Sequence, residues 1–310
     1  MGPGSVPKEQ GAIRLTLNVL WGVEFEGGHR EDHGVSPSGQ VIDVPLYRHE
    51  VSLDFVRTEL GVEYTFLDGW DVWLRIPYEV KAQRVSFRQV EPATFDQIVA
   101  QKRHTDLHHR TETYTGLSDL MLLVARRWSD LLFGGDSLTV AAGFTVPTGQ
   151  TERDPFEAGD QGEEHLHIQF GTGTVDPLLE LYYQVPLPAD MSLSVSATGR
   201  FPFYENPKTY RGPVEVTGNI RLGYAVTEWL AITADFTTFW QSFAYWDGHR
   251  DENSGLVSLL GAVGFTVRPC GGFSINLGAR YPLYQRTLSA EGDTFEQGPS
   301  FLFSVSWLLP

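Results

Sequence analysis

The residues best placed for chemistry are charges that recur at every second position inside otherwise apolar stretches. Arg57, Glu59 and Glu63 alternate with Val56, Leu60, Val62 and Tyr64, and Arg75, Glu79 and Lys81 alternate with Leu74, Ile76, Tyr78 and Val80. Successive side chains of a strand point to opposite faces, so each run carries one charged face and one apolar face. The same reading puts Arg14, Asp119, Arg127, Glu180, Arg200, Glu215, Arg221, Asp235, Arg268 and Arg280 on polar faces. Enclosed charges of both signs have two uses. They pair into a network that fills an interior, or they form an eyelet that sorts solutes by charge. The mixture of signs favours pairing.

The nine histidines are the second set with chemical potential, and all lie in or beside long polar connections. His104, His108 and His109 lie near Asp106, His165 and His167 are two apart, and His29 and His33 flank Glu31 and Asp32. Neutral imidazole beside carboxylate suits Zn²⁺, Cu²⁺ or Ni²⁺. The metal candidates are therefore His104, His108, His109, His165 and His167. Against this, histidine is excluded from a lipid-facing surface and collects in wet loops whatever its role, and no His-Glu-x-x-His spacing occurs. Asp154, Glu157, Asp160, Glu163 and Glu164 crowd one connection. They suit a solvated face that shares divalent cations, Ca²⁺ included, with lipopolysaccharide phosphates. A cofactor is otherwise not expected. Serine and histidine are plentiful, but no nucleophile–base spacing stands out, so an outer-membrane hydrolase is the third function class and a non-enzyme the expectation.

What must position these groups is a set of strands. No stretch of the 310 residues approaches the apolar length that a spanning helix needs, while Gly (32) and aromatics (13%) are abundant. In 214–226, Val214, Val216, Ile220, Leu222, Tyr224 and Val226 oppose Glu215, Thr217, Asn219, Arg221 and Gly223. Twelve such segments are expected, near 12–26, 51–67, 70–86, 113–128, 137–149, 173–187, 191–204, 213–226, 229–245, 255–268, 273–286 and 298–309. Short turns (67–69, 129–136, 188–190, 227–228 and 269–272) alternate with long polar connections (27–50, 87–112, 150–172, 205–212, 246–254 and 287–297). An even strand count with short turns at one end and long loops at the other is the layout of a transmembrane β-barrel of a bacterial outer membrane. Trp70, Trp128, Trp229 and Trp307 at the short-turn end, with Trp21, Trp240 and Trp246 at the other, suit two interfacial girdles. A soluble lipocalin-like barrel also alternates, but its inward face is apolar, whereas the polar face here repeatedly holds Arg, Glu and Asp.

Three local motifs suggest a family. Gly116-Leu117-Ser118-Asp119 opens a strand, Val146-Pro147-Thr148-Gly149 ends the next, and Gly171-Thr172-Gly173-Thr174-Val175-Asp176 begins the one after. In this order they resemble a family of outer-membrane barrels assigned as transporters of phenol-degradation pathways, distantly like the fatty-acid and aromatic-hydrocarbon channels. The resemblance covers about the central third of the chain. It implies passage of small solutes, aromatic ones included, and carries over no site residue. The chain departs from the usual aromatic barrel ending, since Trp307 is followed by Leu308-Leu309-Pro310.

The net charge of −16 argues against a nucleic-acid partner, and a single cysteine, Cys270, leaves no internal disulfide. Met1-Gly2-Pro3-Gly4-Ser5 reads as a cloning scar on a mature chain without its signal peptide. The expected organisation is a tail over 1–10 and one barrel over 11–310. Its expected partners are membrane lipid, lipopolysaccharide and a small solute. Passive transport through a charged lumen is the leading expectation. A closed barrel whose His- and acid-rich loops bind a metal or a partner is the alternative.

Overall fold

The computed structural model describes residues 9–108, 110–161, 163, 168–290, 292 and 294–309. Twelve long strands form the wall: β1 (Ile13–Gly27), β2 (Val41–Leu67), β3 (Trp70–Gln89), β4 (Leu120–Ser129), β5 (Ser137–Val146), β6 (Pro177–Leu187), β7 (Met191–Arg200), β8 (Glu215–Ala225), β9 (Leu230–Gln241), β10 (Leu256–Cys270), β11 (Phe273–Thr287) and β12 (Ser300–Leu309). Each pairs antiparallel with its neighbours in sequence, and β12 returns to β1 with a register running from Ile13↔Leu309 to Gly22↔Ser300. That last ladder leaves no wall edge unpaired, which is why a barrel can sit in a medium that offers its backbone no hydrogen bonds.

The alternation read from the sequence is the alternation of the wall. Ile220 and Ile232 are 54% and 50% exposed on the outer face, and Val263 reaches 68%. On the opposite parity of the same strands, Arg221, Thr233 and Thr266 face the interior and line its cavities. The turns are tight where expected. Ala189 and Asp190, in the three-residue connection 188–190, both take positive φ, 60° and 58°. Both described chain ends and all short turns lie at one end of the barrel.

The long connections hold more structure than expected. β2 extends back to Val41, where it pairs with a short strand, Arg30–Val35. Helix α1 (Phe95–His108) fills much of the 87–112 connection. Its start is marked in the sequence: Thr94 and Gln97 form a capping box, with Thr94 N donating to Gln97 Oε1 at 2.9 Å and Gln97 N to Thr94 Oγ1 at 3.4 Å. Tyr210–Arg211, Ala244–Trp246 and His249–Asp251 form a separate three-stranded sheet. Trp246 is buried there against Tyr210 and Ala244, so it does not belong to the outer aromatic girdle. The other six tryptophans assigned to the girdles are exposed.

The segment expected as one strand over 113–128 is two. Glu112–Leu117 pairs with Tyr78–Gln83 of β3, β4 resumes at Leu120, and Ser118 and Asp119 interrupt the run. The interruption has a local cause: the Asp119 carboxylate accepts from the Gly149 and Thr172 amides of two loops, and the Ser118 carbonyl accepts from Thr148 Oγ1.

Candidate functional site: the charged lumen

The barrel interior is where the polar faces meet, and its two sides differ. On the side formed by β1–β7 the charges pair. Arg14 lies 3.5 Å from Glu63. Arg57 bonds Glu79 at 2.7 Å and stands 3.7 Å from Glu59, while Lys81 takes the other oxygen of Glu79 at 2.9 Å. Arg75 on β3 meets Glu180 on β6 as a bidentate fork, 2.6 and 2.7 Å, and Tyr182 donates to the same carboxylate at 2.7 Å. This chord crosses from one strand to another three places away in the sheet. Beneath it sits the apolar core of the lumen, made by Trp73, Leu123, Ala125, Ala141 and Leu178 with Met121 and Tyr182 against them. Arg127 is buried on the same side, within electrostatic reach of Asp71 and Arg14.

The densest network gathers the three sequence motifs around Arg200. Its Nη2 donates to Asp119 at 2.8 Å and its Nε to Asp176 at 2.8 Å. Asp119 also accepts from the Gly149 and Thr172 backbone amides at 3.0 and 2.9 Å, and Thr172 Oγ1 donates to Asp176 at 2.8 Å. Thr174 and Thr145 complete the second carboxylate: Thr174 Oγ1 donates to its side chain at 2.5 Å, and the Asp176 amide donates to Thr145 Oγ1 at 2.9 Å. A Cβ on Gly171 would lie 2.2 Å from Asp119 Oδ1, so only glycine lets these loops close on the carboxylate. A guanidinium between two carboxylates, with hydroxyls and amides taking the remaining lone pairs, is a fully satisfied buried network. The interrupted strand exists to deliver Asp119 and Ser118 to it; Ser118 Oγ donates to Glu79 at 2.8 Å.

The side formed by β8–β11 is different. Arg221 bonds Asp235 at 2.5 Å, and Glu215 accepts from Gln241 at 2.9 Å. Arg268 and Arg280 make no ion pair among the described residues, and the buried Nε of each has no hydrogen-bond partner there.

Three cavities follow one another through the interior. The one towards the long loops, about 550 Å³, is lined by Arg57, Glu79, Lys81, Asp119, Arg200 and Glu215 among others. One of about 610 Å³ lies towards the short turns beside Arg14, Glu63 and Trp73. One of about 280 Å³ lies against β7–β11 with Arg221, Arg268 and Arg280. Glu59 and Arg75 line both of the first two, Thr217 lines the first and the third, and Tyr182 and Arg268 line the second and the third.

Of the lumen residues read from the sequence, Arg57, Glu59, Glu63, Arg75, Glu79, Asp119, Glu180, Arg200, Glu215, Arg221, Asp235 and Arg280 all face the interior, with Arg127 buried beside them. The pairing differs from simple neighbour matching: Arg200 takes Asp119 and Asp176, and Arg280 takes no carboxylate. Asp176, Thr172, Trp73 and Tyr182 were not among the expected lumen residues. Trp73 shares a face with Arg75 by period two, so that signal was present.

The metal candidates separate. His109, His165 and His167 and the side chain of His108 lie outside the described residues. His104 is not in a wet loop: it is buried on α1, with Nδ1 3.1 Å from the Tyr47 hydroxyl, and packs near His49. The compact ligand set is another one, Glu31, Asp32 and His33, whose donor atoms lie within 4.8 Å of one another. His33 Nδ1 is 2.9 Å from Glu31 and 2.7 Å from Asp32. Burial alone would raise the Glu31 carboxyl; hydrogen bonds with His29 and His33 outweigh it and hold it at about 2. The bond to Glu31 in turn raises His33 above the ordinary imidazole value. In the acidic connection, Asp154 caps the short helix α2 (Pro155–Asp160) and Glu163 pairs with Arg153 at 2.6 Å, while Glu164 lies outside the described residues.

No family model matches the chain, and no curated protein sequence does. Solved structures do. The chain superimposes on the COG4313 outer membrane channel from Pseudomonas putida F1 with a TM-score of 0.62 at 12% identity, over 100% of both chains. It also matches a TodX monoaromatic hydrocarbon channel mutant (TM-score 0.48, 9% identity, 97% of this chain and 91% of that one) and the NanC porin (0.43, 10%, 94% and 98%). The first likeness shows the fold. The chain is an outer-membrane-type β-barrel.

Proposed function

We propose that this barrel is a passive channel of the bacterial outer membrane, taking a small solute through its charged lumen. The supporting observation is the series of three cavities that share Glu59, Arg75, Thr217, Tyr182 and Arg268 as common walls. A barrel built only for stability gains nothing from polar hollows of 280–610 Å³, whereas conduction needs polar sites that are strong enough to enter and weak enough to leave. The exposed apolar belt would contact lipid, and the acidic connection would share divalent cations with lipopolysaccharide. Single-channel recording in planar bilayers tests the reading: discrete conductance steps are expected, and inserted barrels that carry no current would contradict it.

One observation favours a second reading, in which the loop end binds a divalent metal. His33 Nδ1 is held between two carboxylates at 2.9 and 2.7 Å, and the ligand atoms of Glu31, Asp32 and His33 lie within 4.8 Å of one another. Zn²⁺ titration by calorimetry should give saturable heat that His33→Ala removes; absence of heat would end it.

A further inference from the structure

We infer that the β8–β11 side of the lumen is a track for small carboxylate anions, with two arginine stations. The inference rests on the channel reading above and names the class of solute it passes.

The 280 Å³ cavity is lined by Arg221, Arg268 and Arg280, by serine and threonine hydroxyls, and by no aspartate or glutamate. On the β1–β7 side Arg57, Arg75, Lys81 and Arg200 each meet a carboxylate. A desolvated guanidinium without a partner is costly, and an incoming anion relieves that cost. Its planar fork matches the two oxygens of a carboxylate, so the site is chemically selective as well as positive. Ser192, Ser194 and Thr233 line the same cavity and supply hydroxyls for the remaining lone pairs.

The sheet register gives the spacing. Arg221 pairs across to Asp235, Asp235 to Ala262 and Ala262 to Arg280, so these four occupy one row. Arg221 takes the carboxylate of Asp235, so Arg280 in the same row is left as one uncompensated positive charge. Arg268 lies six residues beyond Ala262 on the same strand, about 20 Å towards the short turns, and supplies a second. Two separated stations of one net charge each suit a monovalent anion that steps from one to the next; a single strong trap would hold it.

The test is the reversal potential under a potassium acetate gradient in planar bilayers. Wild type should prefer the anion. In the double variant Arg268→Gln/Arg280→Gln the anion preference should fall about tenfold towards unity, and Arg268→Lys/Arg280→Lys should retain most of it. Cation preference in the wild type, or an unchanged reversal potential in the glutamine variant, would overturn the inference. If no current flows at all, the channel reading fails while the track is still decided by calorimetry on the detergent-folded barrel. Acetate heat that the glutamine variant loses supports the stations; no heat, or heat with inorganic phosphate alone, overturns them.

Discussion

The two sides of the lumen are made from the same kind of strand and do opposite things with their charges. Between β1 and β7 four cations are met: Arg75 by Glu180, Arg57 and Lys81 by Glu79, Arg200 by Asp119 and Asp176. Between β8 and β11 the arginines outnumber their one nearby acid, and a cavity runs past them. The difference teaches that a charged inner face is not one device. Paired across a chord, charges close a barrel and hold its strands in place. Left unpaired along a wall, they make a surface that something else must complete.

Breaking the paired side should cost most. Glu180→Gln leaves the buried Arg75 fork uncompensated, and unfolding in urea should show a loss of about 3–5 kcal/mol. A loss well under 1 kcal/mol would mean the chord is ornamental. Asp176→Asn should cost less, about 1.5–3 kcal/mol, because Arg200 keeps Asp119 while the hydroxyl bonds weaken. Arg280→Gln on the other side should leave stability within about 1 kcal/mol of wild type or raise it, since it removes no ion pair. A collapse comparable to that of Glu180→Gln would erase the distinction between the two sides.

The smallest effect lies outside the membrane-spanning wall, in the hairpin of Arg30–Val35. The lowered Glu31 carboxyl stabilises the folded loop above its ordinary 4.5, and that contribution is lost as pH falls towards 2. The raised His33 stabilises below its ordinary 6.5, and that contribution is lost as pH rises through its folded value. Hydrogen-exchange protection of this hairpin, corrected for intrinsic rates, should therefore be greatest between pH 4.5 and 6.5. Protection that is flat across this range would show that the cluster does not hold the loop.

The strands were legible because period two survives any sequence context, and each of the twelve wall strands overlaps an expected segment. Which charges meet was not. Arg75 and Glu180 are joined across strands whose separation depends on how the sheet curves and closes, and no local pattern encodes that. The motif around Gly116–Asp119 read as strand because its neighbours alternate; Ser118 and Asp119 leave the ladder because Glu79, Thr172 and Arg200 offer them better partners. Helix α1 was hidden for a different reason. Its hydrophobic face is narrow, and only the Thr94–Gln97 capping box announces it. His104 looked like a loop ligand because the helix that buries it was not anticipated.

The central claim is that solute passes along the arginine side. Ser194 stands opposite Arg221 in the register and lines the cavity there, so Ser194→Trp places an indole in the path without removing a charge. Single-channel conductance of this variant, in barrels shown to be folded by heat-modifiable migration, should fall to a small fraction of wild type. Conductance equal to wild type would contradict the account, because the current would then have to run elsewhere in the lumen.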